Sequence, residues 1–148
     1  MTENDKKKEY LWEYRASVRR VTRIEEELKE VREMKTSISI LYDDMPHGSG
    51  QGDLSDYASE LDKLERDLVS ERYRRVMLYK DISERIKALK SKNENDVLFY
   101  RYIKGLDWWE IAEKMSYTER WVYKLHGKAL FHFELPKEFS KVQCSSAT

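Results

Sequence analysis

Basic side chains recur at four-residue steps near the C-terminal end of the sequence, at Arg120, Lys124 and Lys128. In a helix, residues four apart lie on neighbouring turns, so this spacing gathers the three charges on one side. A guanidinium or ammonium group held there can donate hydrogen bonds to guanine or to phosphate. An ordinary solvated helix face would carry the same row of charges, and this alternative stays open.

The preceding residues have the spacing of a helix-turn-helix, in which a tight turn joins two short helices. Ala112 is small enough to let a second helix cross closely, and we expect Ile111 to be buried beside it. Ser116 stands at the turn position where glycine is usual, because φ is often positive there. Val122 and Leu125 then fall where the second helix faces the interior.

This geometry leaves the N-terminal half of the second helix pointing outward, and that half of a helix-turn-helix enters the major groove of DNA. Arg120 could bind guanine or phosphate, Lys124 could do so more loosely, and Glu119 could accept from a cytosine amino group. His126 and Lys128 lie further along and are expected to contact phosphates. The predicted contacts to double-stranded DNA are Thr118, Glu119, Arg120, Tyr123, Lys124, His126 and Lys128.

Other chemistry finds little support in the sequence. The loop at 42–53 is rich in aspartate and glycine. The spacing of its polar residues matches no standard metal site, and these residues are Asp43, Asp44, His47 and Asp53. His126 and His132 fall on different faces of one helix, which disfavours a shared zinc ion. Cys144 has no nearby acid–base partner, and no glycine-rich nucleotide-binding pattern is present. We therefore expect no enzyme activity, no metal and no cofactor.

Tryptophans are dense in the same C-terminal segment. Trp108 is expected in the core, whereas the helical register turns Trp109 and Trp121 toward solvent. Exposed aromatic side chains can mark a partner surface. Packing of both rings against other helices of the chain is the alternative.

Two long amphipathic segments must position this C-terminal part. Apolar residues recur at threes and fours over about 5–35 and again over about 54–89, where the steps follow the heptad pattern. Pro46 and several glycines interrupt the pattern at 42–53, and Asp53 is the predicted N-cap of the second segment. We expect a long antiparallel, coiled-coil-like helical hairpin. Because its core would be thin, we expect it to pair with a second copy, as a homodimer, or with the C-terminal domain.

Short helices and a tail are predicted for the rest of the chain. The polar stretch 90–96 is predicted as a link, and Gly105 ends the short helix that follows it. Two more helices are predicted at about Trp108–Met115 and Thr118–Phe133. The predicted class is all-α, with the long hairpin at 1–93, a three-helix helix-turn-helix domain at 94–135 and a disordered tail at 136–148.

The charge balance limits the classes of partner. The 148 residues carry 28 Lys and Arg against 28 Asp and Glu, so no field of the whole chain attracts nucleic acid. Binding must come from a local patch, and we expect it to be weak for one copy and sensitive to salt. No apolar run could span a bilayer, no leader pattern is seen, and the one cysteine cannot form an internal disulfide. We expect a soluble, cytoplasmic protein that binds no membrane.

The stretch DVLFYRYIKGLDWWEIAEKMSYTERWVYKLHGKALFHF resembles region 4 of bacterial sigma factors, the part that reads promoter DNA. The match runs from Val97 to Leu130 and includes the segments VL, RY, GL, EIAEKM and KAL. The whole chain is similar to small phage and prophage proteins of Gram-positive bacteria, related to the RinA- and ArpU-type late transcription regulators. Sigma regions 2 and 3, which melt the promoter, have no counterpart in this chain.

The resemblance implies binding to promoter DNA, with RNA polymerase as a second candidate partner. By motif position, the residues that match the reading face are Thr118, Glu119, Arg120, Tyr123 and Lys124. We therefore predict a sequence-specific DNA-binding transcription regulator encoded by a phage or prophage. The alternative is a coiled-coil interaction protein, of a scaffold or packaging kind, whose helix-turn-helix is only structural.

Overall fold

A computed structural model describes residues 1–42 and 51–138 of the chain. Across these residues every regular element is helical, and no strand occurs among them. The elements in chain order are α1 (Glu3–Tyr42), α2 (Gln51–Lys87), α3 (Lys92–Leu98), a π-helical segment (Phe99–Ile103), α4 (Trp108–Met115) and α5 (Glu119–His132). The predicted all-α class is confirmed for this part of the chain.

The long helices extend further than their sequence patterns predict. α1 continues to Tyr42 and α2 begins at Gln51, so both ends of the predicted loop are helical. Asp53 therefore lies inside α2 and is not its N-cap.

Some predictions fall on residues outside the described ranges. The middle of the predicted loop, 43–50, is one such segment, and it contains the metal-ligand candidates Asp43, Asp44 and His47. Most of the predicted tail, 139–148 with Cys144, is the other. For these residues the loop, the absence of a metal site and the disorder stay predictions.

One compact unit of the fold comprises Ser17–Val76. Its core contains four buried residues with three partly buried ones packed against them, namely Val21, Leu28, Leu64 and Leu68 with Ile24, Val31 and Leu61. Ion pairs join α1 to α2 beside this core, from Arg20 to Glu71 at 3.2 Å and from Arg32 to Glu65 at 3.5 Å. The later residue of α1 pairs with the earlier residue of α2, so the two helices run antiparallel within this unit. The hairpin as a whole stays a prediction.

The second compact unit combines Met1–Ala16 with Met77–Thr148. Lys7 is buried in it, and its Nζ donates to the backbone oxygens of Leu130 at 2.8 Å and Phe131 at 3.3 Å. An ammonium group at the C-terminal end of α5 satisfies these carbonyls and interacts favourably with the helix dipole. The beginning of α1 and the end of α2 thus share one unit with the short helices, whereas the sequence pattern predicts a domain boundary at 93/94, a position inside α3.

α3 begins at Lys92, earlier than the sequence pattern predicts. Ser91 is its N-cap, and the Ser91 hydroxyl accepts a hydrogen bond from the backbone N–H of Glu94 at 3.4 Å. Ser-x-x-Glu is the sequence of a capping box, which starts a helix by satisfying its first N–H groups. The prediction of 90–96 as a link is therefore wrong, since most of that stretch is helical.

Two glycines of the second unit have opposite surroundings. Gly105, the predicted end of the short helix before it, has φ +70°, a left-handed conformation. A Cβ there would lie 2.7 Å from Nε of Arg15, whose Nη1 donates to the backbone oxygen of Ile103 at 3.3 Å. Gly127, in the middle of α5, has open space where a Cβ would stand. Only the first position requires glycine.

We expect a methyl group to have opposite effects at these two positions. Gly105→Ala should lower the free energy of unfolding by about 1–2 kcal/mol, because the left-handed φ is strained and Arg15 must move. Gly127→Ala should raise it by about 0.5–1 kcal/mol, because alanine loses less backbone entropy in a helix. Urea unfolding followed by circular dichroism measures both changes, and a shift of the same sign in both variants would contradict this account.

Candidate nucleic-acid interface

A tight turn joins α4 to α5 and determines where α5 begins. Ser116 has φ 59° and ψ 41°, a left-handed conformation, in place of the usual glycine. The backbone N–H of Tyr117 closes the turn by donating to the oxygen of Ala112 at 2.9 Å. Thr118 is the N-cap of α5, and its hydroxyl accepts from the N–H of Trp121 at 3.2 Å. The turn and the cap together fix the direction of the first turn of α5.

α5 has one buried side and one exposed side. The buried residues have the three- and four-residue spacing of a helix face, and they are Val122, Leu125, His126, Ala129 and Leu130. The inward prediction for Val122 and Leu125 is confirmed. The exposed residues include six members of the predicted contact set, namely Thr118, Glu119, Arg120, Tyr123, Lys124 and Lys128. Contact of these residues with DNA stays a prediction.

His126 is the member of the set that the structure places elsewhere. It is 7% exposed, and its Nε2 lies 2.7 Å from the hydroxyl of Tyr102. Burial, helped by the positive charges of Lys8 and Arg101, lowers its pKa to about 4. The ring is therefore uncharged at neutral pH, and the prediction that His126 contacts phosphates is wrong. The sequence contains a pattern that predicts this burial, because His126 lies four residues after the buried Val122, and residues four apart share a helix face.

The cations on the exposed side of α5 are available to a partner. Arg120 and Lys124 make no hydrogen bond or ion pair with any residue in the described part of the chain. In the long helices, by contrast, several arginines are paired with carboxylates, including Arg20, Arg23, Arg32, Arg66 and Arg72. Glu119 is the one acidic residue within α5, at a first-turn position that the helix dipole favours. The exposed side thus presents donors to an anionic partner.

The tryptophans lie at different depths beside this face. Trp108 is half-buried, with the guanidinium of Arg101 4.3 Å from its ring centre and the ring of Tyr123 at 4.8 Å. Trp109 and Trp121 are exposed, as the helical register predicts, so neither ring is covered by the long helices. The expected core position of Trp108 is only partly met, since it lies at the border between the interior and the exposed side.

A separate cleft of about 560 Å³ lies between α3 and the C-terminal end of α5. In its wall, Nδ1 of His132 lies 2.9 Å from the carboxylate of Glu94, which is buried. The two histidines therefore have different partners, since His132 lies beside Glu94 and His126 lies beside Tyr102. Among the residues that the structure describes, no three His, Cys, Asp or Glu side chains are grouped to hold a metal ion.

Comparison of the chain with protein-family models, with curated proteins and with solved structures found no match. None of the helices in the described ranges has both the length and the apolar run that crossing a membrane requires. A functional proposal therefore rests on the residues and the geometry of this chain.

We expect His126 to make stability depend on pH. Its pKa falls from about 6.5 in the unfolded chain to about 4 in the folded chain, so between these values the unfolded state binds more protons. The stability contribution of the neutral ring is complete above pH ~7 and is lost as the pH falls toward ~4, by up to about 3 kcal/mol. Urea unfolding at several pH values measures this loss.

The matched variant for this measurement is His126→Gln, which keeps a polar side chain without a group that titrates. All other carboxyl and imidazole groups are shared with the natural chain, so the difference between the two pH profiles isolates residue 126. We expect a shallower loss of stability below neutral pH in the variant. Superimposable profiles would show that His126 is not held neutral by burial.

Proposed function

We propose that this chain is a sequence-specific DNA-binding transcription regulator in which α4 and α5 act as a helix-turn-helix. The observation that carries the proposal is the pair of exposed, unpaired cations Arg120 and Lys124 on the N-terminal half of α5. In a helix-turn-helix this half of the second helix lies in the major groove, and the first helix crosses the phosphate backbone. The left-handed turn at Ser116 supports this assignment.

In this proposal each residue of the exposed face contacts a different group of the DNA. Arg120 suits a bidentate pair with guanine, Lys124 suits guanine or phosphate, and Glu119 suits a cytosine amino group. Lys128, further along α5, suits a phosphate and would set the position on the duplex. Tyr123 packs against Trp108 and so holds the groove-facing side of the helix firmly. One copy offers few cations, so its affinity should be modest and should fall with salt.

The resemblance to sigma region 4 extends this proposal to promoter DNA in a phage or prophage, with RNA polymerase as a second partner in the cytoplasm. Support for this part comes from the sequence pattern between Val97 and Leu130. Nothing in the proposed role requires catalysis or a cofactor.

We further propose that two copies associate through α2. Val69, Tyr73 and Val76 are 62–68% exposed and form a stripe one to two turns long. The stripe faces away from the side of α2 that carries Leu64 and Leu68, so it does not contribute to the core of its own unit. A dimer would bring two reading helices to one duplex, as operator-binding dimers do.

The stripe is complementary to itself when a second copy lies antiparallel. A two-fold axis between Arg72 and Tyr73 places Val69 against the partner's Val76 at both ends.

A scaffold or packaging protein, in which the helix-turn-helix serves only packing, is the second candidate. The exposed α2 stripe favours it equally, because a scaffold also needs association surfaces. The two candidates differ in what they predict for α5, since only the regulator uses its cations.

We expect Arg120→Ala with Lys124→Ala to weaken binding to short duplexes of randomised sequence by at least about tenfold, because each lost contact is worth roughly 1–3 kcal/mol. The slope of log K against log salt should also become shallower by about one to two. Fluorescence anisotropy over a salt series measures both quantities, and thermal unfolding shows whether the variant keeps its fold.

The control is Lys29→Ala with Lys63→Ala, which removes the same charge from exposed positions on the long helices. It should leave duplex binding within about twofold, because these positions lie outside the proposed reading face. Equal losses in both double variants would reduce the binding to net charge. Duplex binding that is unchanged in the variant of Arg120 and Lys124, and that does not weaken with salt, would favour the scaffold candidate.

For the dimer, we expect Tyr73→Glu to convert a concentration-dependent dimer into a monomer of 17.9 kDa. The added carboxylate would lie in an apolar contact and would be desolvated without a full set of partners. Ser59→Glu, ten residues before Val69 on the same helix, is the matched control and should still dimerise. Sedimentation equilibrium measures the mass, and a natural chain that stays monomeric at every concentration would refute this association.

A further inference from the structure

We infer that the exposed side of α5, with the turn before it, also binds single-stranded nucleic acid by stacking unpaired bases on aromatic rings. This inference deepens the proposed function, because the same cations would hold the phosphates. It goes beyond duplex recognition because it assigns base stacking to the exposed aromatic side chains.

Large aromatic side chains are concentrated on this surface. Four of them within residues 117–131 are between 38% and 76% exposed, namely Tyr117, Trp121, Tyr123 and Phe131. A single exposed apolar residue needs no explanation, but several together on one side of the molecule mark a contact surface. Phe131 is the most exposed of the four, and the sequence pattern gave it no role. We define these four rings as the aromatic set.

Cations are interspersed with the aromatic set along α5. Arg120, Lys124 and Lys128 are spaced by roughly 6 Å of helix rise, which is comparable to the step between phosphates of an extended strand. Nζ of Lys128 lies 5.3 Å from the ring centre of Trp121, so one cation already lies next to a ring. Cations and exposed rings on one surface are the combination by which proteins hold single strands, since charges bind phosphates and rings stack on bases.

The rings near the start of α5 are held in place before any ligand arrives. The hydroxyl of Tyr117 accepts from Nδ2 of Asn93 at 3.1 Å, and its ring lies edge-on to Trp121 at 6.4 Å between centres. Tyr123 packs against Trp108 at 4.8 Å. Stacking on rings that are already ordered costs less conformational entropy than stacking on mobile side chains.

A duplex gives these rings little to bind. In a duplex the faces of the bases are stacked on one another, and the major groove presents only base edges. A phenyl ring can contact a thymine methyl group there, but the wide indole and phenol faces have no matching surface. Unpaired bases of any sequence expose π-faces and therefore suit the aromatic set.

The test measures fluorescence anisotropy of labelled oligothymidylate, oligouridylate and the randomised duplexes with the full chain. Trp121→Leu and Phe131→Leu keep apolar volume and remove the π-face, and each should weaken binding of the single strands by at least about fivefold. Duplex binding should change by less than about twofold in the same variants. Phe131→Tyr, which keeps a ring, should retain single-strand binding, and Trp109→Leu controls for loss of an exposed ring on α4.

The outcomes separate this inference from the proposed function. Duplex binding with no single-strand binding, or single-strand binding that both leucine variants retain, overturns the inference and leaves the duplex proposal intact. Ring-dependent single-strand binding without duplex binding supports the inference and overturns the duplex proposal. A difference in affinity between oligothymidylate and oligouridylate shows whether DNA or RNA is the preferred strand.

Discussion

Burial of one side of α5 determines which of its residues can reach a partner. Val122, Leu125 and Ala129 pack into the interior, and this fixes the rotation of the helix about its own axis. Arg120 and Lys124 then point outward without any further constraint. Lys7 binds the last carbonyls of the same helix, so the first turns of α1 hold the C-terminal end of α5 in place. The exposed face is therefore set by packing that involves residues far away in sequence.

A polar layer supports this face from inside without adding charge. Uncharged His126 pairs with Tyr102, and its ring lies 4.7 Å from that of Trp108 in an edge-to-face contact. Trp108 in turn contacts Tyr123 on the exposed side. The row from His126 through Trp108 to Tyr123 thus connects the interior to the surface. Because the buried His126 ring stays uncharged, it adds no positive charge behind the exposed cations of α5.

Much of the secondary structure follows from local patterns in the sequence. Apolar spacing predicts both long helices, and the positions of Ala112, Ser116 and Val122 predict the turn before α5 and its inward side. The errors at helix boundaries have local causes too, since Ser91 and Glu94 form a capping sequence within the predicted link. The outward prediction for His126 is also wrong for a local reason, since its four-residue spacing from Val122 favours the buried side.

Contacts between distant residues could not be predicted in this way. No local pattern shows that Lys7 caps α5, that Glu94 pairs with His132, or that Tyr102 meets His126. These contacts depend on how separate helices pack, which periodicity does not specify. The same is true of the candidate site, because spacing predicts which residues of α5 are exposed but does not say that Arg120 and Lys124 lack partners within the described chain.

The most direct test of the central claim is selection of bound duplexes from a randomised pool, followed by sequencing, for the natural chain and for Arg120→Ala. If α5 reads base edges in a major groove, the natural chain should enrich a short motif that contains a guanine. The variant should lose the preference at that guanine while it keeps the rest of the motif. Enrichment of no motif by the natural chain, or of an unchanged motif by the variant, would contradict the account.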